Sequence, residues 1–384
     1  MIERDIAVKA QDLWRKYPVL TIVGPRQSGK TTLSRMAFPD VGYVNMEDPE
    51  VHALAKSDMR EFLRRHPAPT IFDEVQYVPE LLRYIQAEVD EVRKPSRYVV
   101  TGSHQPALRS AICESLAGRT GMLELLPLTM GELRRAGIEK SRDEWIISGF
   151  MPRLYDSELT PTELYRDYFL TYVERDVRRL ANLRHLGAFE TFVRLLAGRV
   201  GQLLNLNALA GDVGISVPTV REWLSVMESS YVIKILHPYF RNFGKRFVKS
   251  PKVYFTETGL AAYLVGIRDA SQVAAHPLMG GLFENMAVME LFKARLNRGE
   301  DGGMYFLRTS SGLEADVVME NGRRLDLYEI KAASTFYETM TENLDKIASF
   351  VPDVGRRMVV YSGRTIGRVG KTDVANLADV TIKP

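Results

Sequence analysis

Residues 24–31 restrict the possible folds of this chain more than any other segment. They read GPRQSGKT and match the pattern G-x-x-x-x-G-K-[ST] without a mismatch. A β-branched run over residues 18–23 precedes the segment, and a helical pattern over residues 31–36 follows it. Glycines in such a loop let backbone N–H groups surround a phosphate, and the N-terminus of the following helix adds partial positive charge. The segment therefore predicts a strand, a phosphate-binding loop and a helix within a wound α/β sheet.

The remaining sequence pattern divides the chain into four predicted domains. Short apolar runs alternate with helical patterns at first, and strands are predicted over residues 41–45, 69–72, 97–101 and 122–126. A helical pattern follows, then a helix-turn-helix with a β-ribbon, and finally a long helix with paired strands. We therefore expect an α/β protein with a P-loop domain (1–130), a helical linker domain (131–199), a winged-helix domain (200–268) and an α/β nuclease-like domain (269–384).

Length and composition exclude several classes of protein. The 384 residues suffice for two or three domains, and 45% apolar and 26% charged residues are ordinary for a soluble globular chain. Lys and Arg (51) barely exceed Asp and Glu (48), so any surface that binds nucleic acid must be local. Cys113 is the only cysteine, which excludes an intrachain disulfide and a cysteine-based zinc site. No secretory signal or run of about 18 apolar residues is present, so we expect a cytoplasmic protein without a membrane partner.

The loop and two acidic residues further along the chain predict a site for ATP and Mg²⁺. Lys30 would reach the β- and γ-phosphates, and the Thr31 hydroxyl would hold the metal ion. The apolar strand 69–72 leads into Asp73 and Glu74. Asp73 is expected beside the Mg²⁺, and Glu74 is expected to polarise the attacking water as the general base, which indicates hydrolysis. The predicted nucleotide-binding residues are Gly24, Pro25, Arg26, Gln27, Ser28, Gly29, Lys30, Thr31 and Thr32.

Two further residues are candidates for the reaction. Ser103 follows the apolar strand 97–101, and its hydroxyl could contact the γ-phosphate or the attacking water. Alternatively, this segment caps the next helix. Arg119 lies between a helical pattern and the next strand, where an arginine could reach the nucleotide of a neighbouring subunit as an arginine finger. That role requires a homo-oligomer, and the alternative is a surface ion pair.

Seven short segments, spread over nearly the whole chain, together resemble those of one protein family. They read GPRQSGKTTL, IFDEVQYVPEL, VVTGSH, SLAGR, YVERDV, YFTETGLAAYLVG and EADVV…LYEIKA. The first two are diagnostic of P-loop ATPases, and the later ones are informative only as a set. On these motifs the chain resembles AAA-type ATPases in which the P-loop module precedes a C-terminal domain of unknown function. The resemblance implies the fold and ATPase chemistry more than a biological role.

The third predicted domain contains two helices and a basic β-ribbon. A helix over residues 207–213 is followed by Ser216, which can cap a second helix with one apolar face. Strands are predicted over residues 231–236 and 253–255. Two helices and a basic hairpin match a winged helix, which the family resemblance also implies, whereas a protein-binding or purely structural module is the alternative. The basic segment contains Arg241, Lys245, Arg246, Lys249 and Lys252, of which all but Lys252 join Arg221 as predicted DNA-binding residues.

A charged hairpin is predicted in the last domain. Asn321-Gly322 lies between two alternating strands and indicates a two-residue turn. That turn would place Asp316 opposite Leu327 and Glu314 opposite Glu329. Three carboxylates and a lysine would then share one face of the hairpin. Like charges directly opposite each other destabilise a sheet, so the pattern predicts a positive group among them, such as a divalent metal ion.

This arrangement resembles the core of PD-(D/E)xK nucleases. In that pattern Asp316 and Glu329 would bind Mg²⁺, Lys331 would orient or activate water, and Glu284 would be the acid on the preceding helix. Ala315 replaces the proline that usually precedes the first aspartate. The alternatives are an edge hairpin with a charged solvent face, or a nuclease fold without activity.

Three functions are consistent with these motifs. The first is a DNA-associated ATPase that couples ATP hydrolysis to the winged helix. The second is a metal-dependent nuclease gated by the ATPase, and the third is a signalling or scaffold ATPase whose C-terminal part binds protein. The ATPase is common to all three, and the predicted partners are ATP, DNA and a second copy of the chain.

Overall fold

The computed structural model describes residues 2–103, 106–173, 186–239, 247–300 and 302–382. Near the N-terminus it contains a five-stranded parallel sheet with strand order β2-β3-β4-β1-β5. The strands are β1 (Val19–Gly24), β2 (Gly42–Asn45), β3 (Thr70–Asp73), β4 (Tyr98–Ser103) and β5 (Thr120–Glu124). The predicted wound sheet is thus confirmed, although β5 begins two residues earlier than expected.

Helices cover both faces of this sheet. They are α1 (Ile6–Trp14), α2 (Lys30–Ala37), α3 (Pro49–Ser57), α4 (Met59–Arg65), α5 (Leu81–Val92) and α6 (Pro106–Leu116). All residues of β1 are buried, as expected for a central strand between two helical layers. Val19 and Val23 pack in one apolar cluster, and Leu20 and Ile22 pack in a second one on the opposite face. This alternation explains the continuous apolar run before the glycine loop.

The middle of the chain is mainly helical. Its helices are α7 (Met130–Arg135), α8 (Arg142–Ser148), α9 (Pro152–Tyr155), α10 (Pro161–Tyr168), α11 (Leu186–Ala197), α12 (Leu206–Val213), α13 (Val217–Ser229) and α14 (Thr258–Leu264). An antiparallel pair, β6 (Ile233–Leu236) and β7 (Lys252–Phe255), follows α13. Two helices and a two-stranded sheet therefore occur in the order that the sequence predicts. Within the described residues, no helix is long and apolar enough to cross a membrane.

The C-terminal part contains a six-stranded mixed sheet with strand order β12-β13-β11-β10-β9-β8. Helix α15 (Met279–Asn297) precedes the sheet. The strands are β8 (Met304–Arg308), β9 (Glu314–Asn321), β10 (Arg324–Lys331), β11 (Val354–Tyr361), β12 (Gly367–Val369) and β13 (Thr372–Asn376), with α16 (Glu342–Ala348) before β11 and α17 (Leu377–Ile382) at the end. A single apolar cluster joins this part to the middle helices, since it includes Trp145, Trp223, Phe283 and Tyr328.

The hairpin of β9 and β10 differs in register from the prediction. Asn321 pairs with Arg324, so the turn residues are Gly322 and Arg323 rather than Asn321 and Gly322. Every expected cross-strand partner is therefore shifted by two residues. An even shift keeps each side chain on its predicted face, because side chains alternate between the faces of a strand.

The predicted ribbon does not form a free wing along its whole length. Before residue 240, Tyr239 N–H donates to the Phe306 carbonyl at 2.7 Å, and Phe306 N–H donates to the His237 carbonyl at 3.2 Å. After residue 246, Val248 N–H donates to the Arg308 carbonyl at 3.0 Å. Both ends of the connection thus bond to β8, an edge strand whose backbone would otherwise be open to another chain.

Candidate nucleotide-binding site

The glycine loop has the backbone geometry that a phosphate site requires. A side chain at Gly24 would place its Cβ only 2.1 Å from the Leu125 carbonyl oxygen, so only glycine fits this close approach. Gly29 adopts a left-handed conformation (φ 91°) at the start of α2. The buried Ser28 hydroxyl donates to the Pro25 carbonyl at 3.0 Å and closes the loop. Gln27 also has positive φ, whereas Thr32 is exposed on α2.

Lys30 lies inside the loop rather than in solvent. Its Nζ donates to the carbonyl oxygens of Pro25 at 2.9 Å and Gly24 at 3.3 Å, and it lies 4.0 Å from a Glu74 carboxylate oxygen. The residue is only 4% exposed, and this burial lowers the pKa of its ammonium group. An ammonium group in such a dry site interacts strongly with phosphate oxygens, because water does not screen it.

Asp73 and Thr31 come together as predicted for a metal site. Asp73 ends β3, and Thr31 lies in the first turn of α2, yet the Thr31 hydroxyl donates to Asp73 Oδ2 at 2.7 Å. The Tyr43 hydroxyl donates to the same oxygen at 2.8 Å, and the Thr101 hydroxyl donates to Oδ1. One hydroxyl and one carboxylate at the phosphate loop fit Mg²⁺, which takes one or two protein oxygens together with substrate phosphates.

Glu74 and Ser103 lie side by side at the ends of their strands. Glu74 has a left-handed backbone (φ 58°), and its N–H donates to the Thr101 hydroxyl at 3.2 Å. The Ser103 hydroxyl donates to Glu74 Oε2 at 3.2 Å, and the Gln76 side-chain amide donates to the same oxygen. Glu74 is thus held beside Lys30 with 19% of its side chain exposed, from where it can accept a proton from water.

Three contact residues of this site were missed by the sequence analysis. They are Tyr43, Gln76 and Thr101, all of which hold Asp73 or Glu74 by hydrogen bonds. A polar residue at the end of the predicted strand 97–101 was the available signal for Thr101, whereas Tyr43 lies within β2 and carried no such signal. Gln76 carried no such signal, because its contact depends on the left-handed turn at Glu74.

Arg119 lies at the other end of the sheet. It immediately precedes β5, whose first residue pairs with the first residue of β1, whereas the glycine loop follows the last residue of β1. Its guanidinium forms two hydrogen bonds with the Asp90 carboxylate, at 2.6 and 2.8 Å. Within this chain Arg119 is therefore a surface ion pair, and its role towards a neighbouring subunit stays a prediction.

The acidic cluster of the C-terminal domain is organised around a lysine. Lys252 of β7 is 3% exposed, and its Nζ lies 2.8 Å from a Glu284 oxygen, 2.6 Å from Glu314 and 3.7 Å from Asp316. The Tyr254 hydroxyl also donates to Glu284 at 2.6 Å. The carboxylates outweigh burial and raise the pKa of Lys252. The positive group that the charge pattern requires is therefore this ammonium.

The second metal site stays a prediction, and the structure places a lysine among the acidic residues expected to form it. Glu284 and Asp316 do lie together, and by the observed register Asp316 faces Glu329, but Lys252 occupies the place expected for a cation. Across the described part of the chain, no three His, Cys, Asp or Glu side chains are arranged to hold a metal ion. Sequence spacing assigned Lys252 to the basic ribbon, whereas the fold buries its side chain.

Glu329 is a buried acid with an incomplete set of partners. It is 3% exposed, and one of its oxygens bonds Lys331 at 2.5 Å and the Asn343 amide at 3.3 Å. The other oxygen has no hydrogen-bond partner. Burial and the Asp316 carboxylate raise the pKa of Glu329 to about 7.

Glu329→Gln is expected to make the folded protein more stable at pH 8 and to flatten its pH dependence. An unfolded glutamate has a pKa of about 4.3, so the folded state binds the extra proton between that value and about 7. The stabilisation of the wild-type protein by this extra proton is fully present below the unfolded-state pKa of about 4.3. It is lost as the pH rises through the folded-state pKa of about 7. Urea unfolding at pH 5 and pH 8 measures the effect, with the exposed Glu342→Gln as the control.

Glu329→Gln, combined with Lys30→Ala, also tests whether a metal ion binds the acidic cluster around Lys252. We expect millimolar Mg²⁺ or Mn²⁺ to leave the unfolding midpoint of a Lys30→Ala protein unchanged. If the metal ion raises the midpoint and Glu329→Gln abolishes that rise, the result would contradict the lysine-centred description and support a metal site.

The predicted DNA-binding residues are described only in part. Arg221 on α13 and Lys249 before β7 are exposed, and Glu222 lies exposed beside Arg221. Arg241, Lys245 and Arg246 lie outside the described residues. Because α13 carries Glu222 and Glu228 as well as Arg221, this helix has no net positive charge.

Three family models match the chain. They are the AAA domain over residues 16–134, a domain of unknown function (DUF8612) over residues 139–271, and a domain of unknown function (DUF4143) over residues 279–380. The chain therefore contains an AAA-type ATPase domain followed by domains without an assigned activity.

Two curated proteins are similar along almost the whole length. The uncharacterized protein Rv2008c of Mycobacterium tuberculosis and the uncharacterized protein Mb2031c of Mycobacterium bovis are each 30% identical over 380 residues. The aligned region covers 98% of this chain and 83% of each relative.

Solved structures are more distant. The Walker-type ATPase paby2304 of Pyrococcus abyssi is 15% identical, with a TM-score of 0.46 over 69% of this chain and 96% of that chain. AMPPCP-bound DnaA of Aquifex aeolicus is 14% identical, with a TM-score of 0.31 over 58% of this chain and 86% of that chain. Similarities this distant do not by themselves indicate a function.

Proposed function

Because the chain belongs to the same family as the mycobacterial proteins Rv2008c and Mb2031c and carries an AAA domain, we propose that it hydrolyses ATP at the loop around Lys30. One observation carries the proposal: Thr31, Asp73, Glu74 and Ser103 meet beside this buried lysine although they come from three separate segments. A phosphate loop alone would suit a nucleotide-binding protein. A carboxylate next to it adds a proton acceptor.

The residues divide the reaction between them. Lys30 leaves the Pro25 carbonyl to contact the phosphates. Thr31 and Asp73 would hold Mg²⁺, which would supply neutralisation of phosphate charge when bound. Glu74 accepts a proton from the attacking water, and Ser103 keeps the carboxylate oriented. The water oxygen forms the new bond to the γ-phosphorus as the bond to the ADP oxygen breaks, so the products are ADP and inorganic phosphate.

Release of inorganic phosphate from Mg·ATP by the purified chain tests the proposal. The rate should fall to background in the presence of EDTA, because the chemistry needs the metal ion. A chain that binds ADP but releases no phosphate would be a nucleotide-binding switch instead of an ATPase.

Action on DNA is a second part of the proposal and rests on the basic segment after β6. The segment carries three cations within five residues, at Lys245, Arg246 and Lys249. Cations so close together bind phosphate backbones of any sequence. We do not extend the proposal to a nuclease, because Lys252 pairs with Glu284 and Asp316, two of the carboxylates that such a site would use.

Replacing Lys245, Arg246 and Lys249 together with Ala is expected to weaken DNA binding for every sequence. Each lost phosphate contact should reduce the slope of log K against log salt by about 0.9 on duplex DNA. Fluorescence anisotropy at several salt concentrations measures the slope. The control replaces Lys56, Arg60 and Arg64 of α3 and α4, which removes the same charge from another surface. An equal slope for both variants would favour the signalling or scaffold function, in which this part binds protein.

A further inference from the structure

Arg4 connects the phosphate-binding loop to the end of the sheet. Its side chain is 6% exposed and lies just before α1. Nη1 donates to the Ser28 carbonyl at 2.8 Å, and Nη2 donates to the carbonyls of Leu126 at 2.7 Å and Pro127 at 3.3 Å. Nε donates to a Glu132 carboxylate oxygen at 3.1 Å. The guanidinium is therefore held at four points, and one of these points is the loop itself.

The contact with Ser28 bears directly on phosphate binding. A trans peptide is planar, with its C=O and N–H pointing in opposite directions. Arg4 holds the Ser28 carbonyl, so it also sets the direction of the Gly29 N–H in the same peptide. The N–H groups of this loop are the ones expected to donate to phosphate oxygens. Arg4 thus orients a binding group without touching the nucleotide.

Glu132 fixes the other end of the guanidinium. It is 1% exposed, and its two oxygens accept the N–H of Asp5 at 2.7 Å and the N–H of Thr129 at 2.8 Å. Thr129 in turn caps α7 by accepting the Glu132 N–H. In the segment that leaves β5 and enters α7, Leu126 and Pro127 are therefore tied to Arg4 directly and Thr129 is tied to it through Glu132.

A buried ion pair on α15 holds the same segment at two further points. Glu290 accepts the Met130 N–H at 2.9 Å, and Lys293 donates to the Leu128 carbonyl at 2.6 Å. The two side chains also pair with each other, and both are buried. Removing one partner of a buried pair leaves an uncompensated charge, so this contact resists change.

We propose that Arg4 is a positioning residue for the phosphate-binding loop and that it makes nucleotide affinity depend on the Glu290–Lys293 pair of α15. The connection runs from the Ser28 carbonyl through Arg4 to the segment 126–130 and from there to α15. It rests on the proposed nucleotide binding, and through α15 it links the loop to the C-terminal domain. A nucleotide that orders the loop then changes the stability of the α15 contacts. By thermodynamic linkage, a change in those contacts alters the nucleotide affinity by the same factor.

Arg4→Lys is the first test, with ADP as the probe. Lysine keeps the charge but cannot hold four acceptors in a planar fork. The Kd for ADP, measured by titration calorimetry, is expected to rise roughly 10- to 100-fold. This is the size of effect expected when the misdirected Gly29 N–H loses its hydrogen bond to a charged phosphate. In ATP turnover KM should rise by a similar factor while kcat changes little, because the same N–H groups bind ground state and transition state.

A double-mutant cycle tests the connection to α15. Lys293→Met keeps the length of the buried side chain but removes its charge, and it is expected to raise the Kd for ADP roughly 2- to 30-fold. In the Arg4→Lys background the same replacement should change the Kd by less than about twofold, because the connection is already broken. Arg135→Gln is the control, since it removes the neighbouring pair with Asp5 at the surface and should leave the Kd unchanged.

The outcomes distinguish this inference from the proposed function. A folded Arg4→Lys protein with wild-type Kd would overturn the positioning role, and multiplicative effects of the two replacements would overturn the connection. If Arg4→Lys does not fold, Glu132→Gln serves instead, because it keeps the acceptor and removes the charge. Absence of phosphate release from a wild-type chain that binds ADP refutes the ATPase alone, since the calorimetric cycle does not depend on hydrolysis.

Discussion

Lys30→Ala is expected to lower the affinity for ATP by at least about two orders of magnitude and to reduce phosphate release to background. Charge-assisted hydrogen bonds to phosphate contribute about 1.5–3 kcal/mol each, and this lysine can contact two phosphates. Residues 24–31 contain no other lysine that could replace this contact. Titration calorimetry with ATP and Mg²⁺ measures the affinity.

A second variant and a control show whether that loss of affinity arises from the Lys30 ammonium group. Lys30 is buried against backbone carbonyls, so Lys30→Met is a second variant that keeps most of the side-chain volume. Lys16→Ala is the matched control, because Lys16 is exposed and pairs with Asp12 four residues away. Wild-type binding by a folded Lys30→Met protein would show that the nucleotide binds elsewhere.

Glu74→Gln is expected to slow hydrolysis by about 10²- to 10⁴-fold while ATP stays bound. Glutamine keeps the size of the side chain and can still contact Ser103 and Gln76, but it cannot accept the proton of the attacking water. Single-turnover phosphate release measures the chemical step. Thermal unfolding with ATP should show a higher midpoint than without it, because a ligand that binds only the native state stabilises that state.

A neighbouring acid provides the comparison for Glu74. Glu80 is exposed at the start of α5, and Glu80→Gln should hydrolyse ATP at the wild-type rate. Normal hydrolysis by Glu74→Gln would mean that another group accepts the proton. An equal loss of binding and turnover would instead mean that Glu74 supports the loop through Lys30.

Local sequence pattern predicted the elements that form the candidate nucleotide site. The strand, the glycine loop and the helix are consecutive in the chain, so their sequence signals did not depend on distant contacts. Asp73 and Glu74 were also predictable, because the carboxyl ends of neighbouring parallel strands meet at one edge of the sheet. The bonds of Tyr43 and Gln76 were not, since they depend on the exact directions of side chains at that edge.

The β9–β10 hairpin shows what the alternation of side chains along a strand can and cannot predict. Alternation determines which face a side chain occupies, and that prediction for Asp316 and Glu329 agrees with the observed pairing. Alternation does not determine the turn residues, and the predicted register was wrong by two residues. The structure places Gly322, with a φ of 61°, and Arg323 in the turn.

The sequence by itself determined the α/β P-loop domain, its glycine loop with the acidic residues that follow β3, and the need for a positive charge among Glu314, Asp316 and Glu329. Only the tertiary structure decided that Lys252 supplies this charge, that the connection between β6 and β7 bonds to β8, and that Arg4 ties the loop to the segment after β5. The physical reason is the range of the interactions. Strand, loop and helix signals act between neighbours in the chain, whereas a buried charge takes its partner from whichever element packs against it.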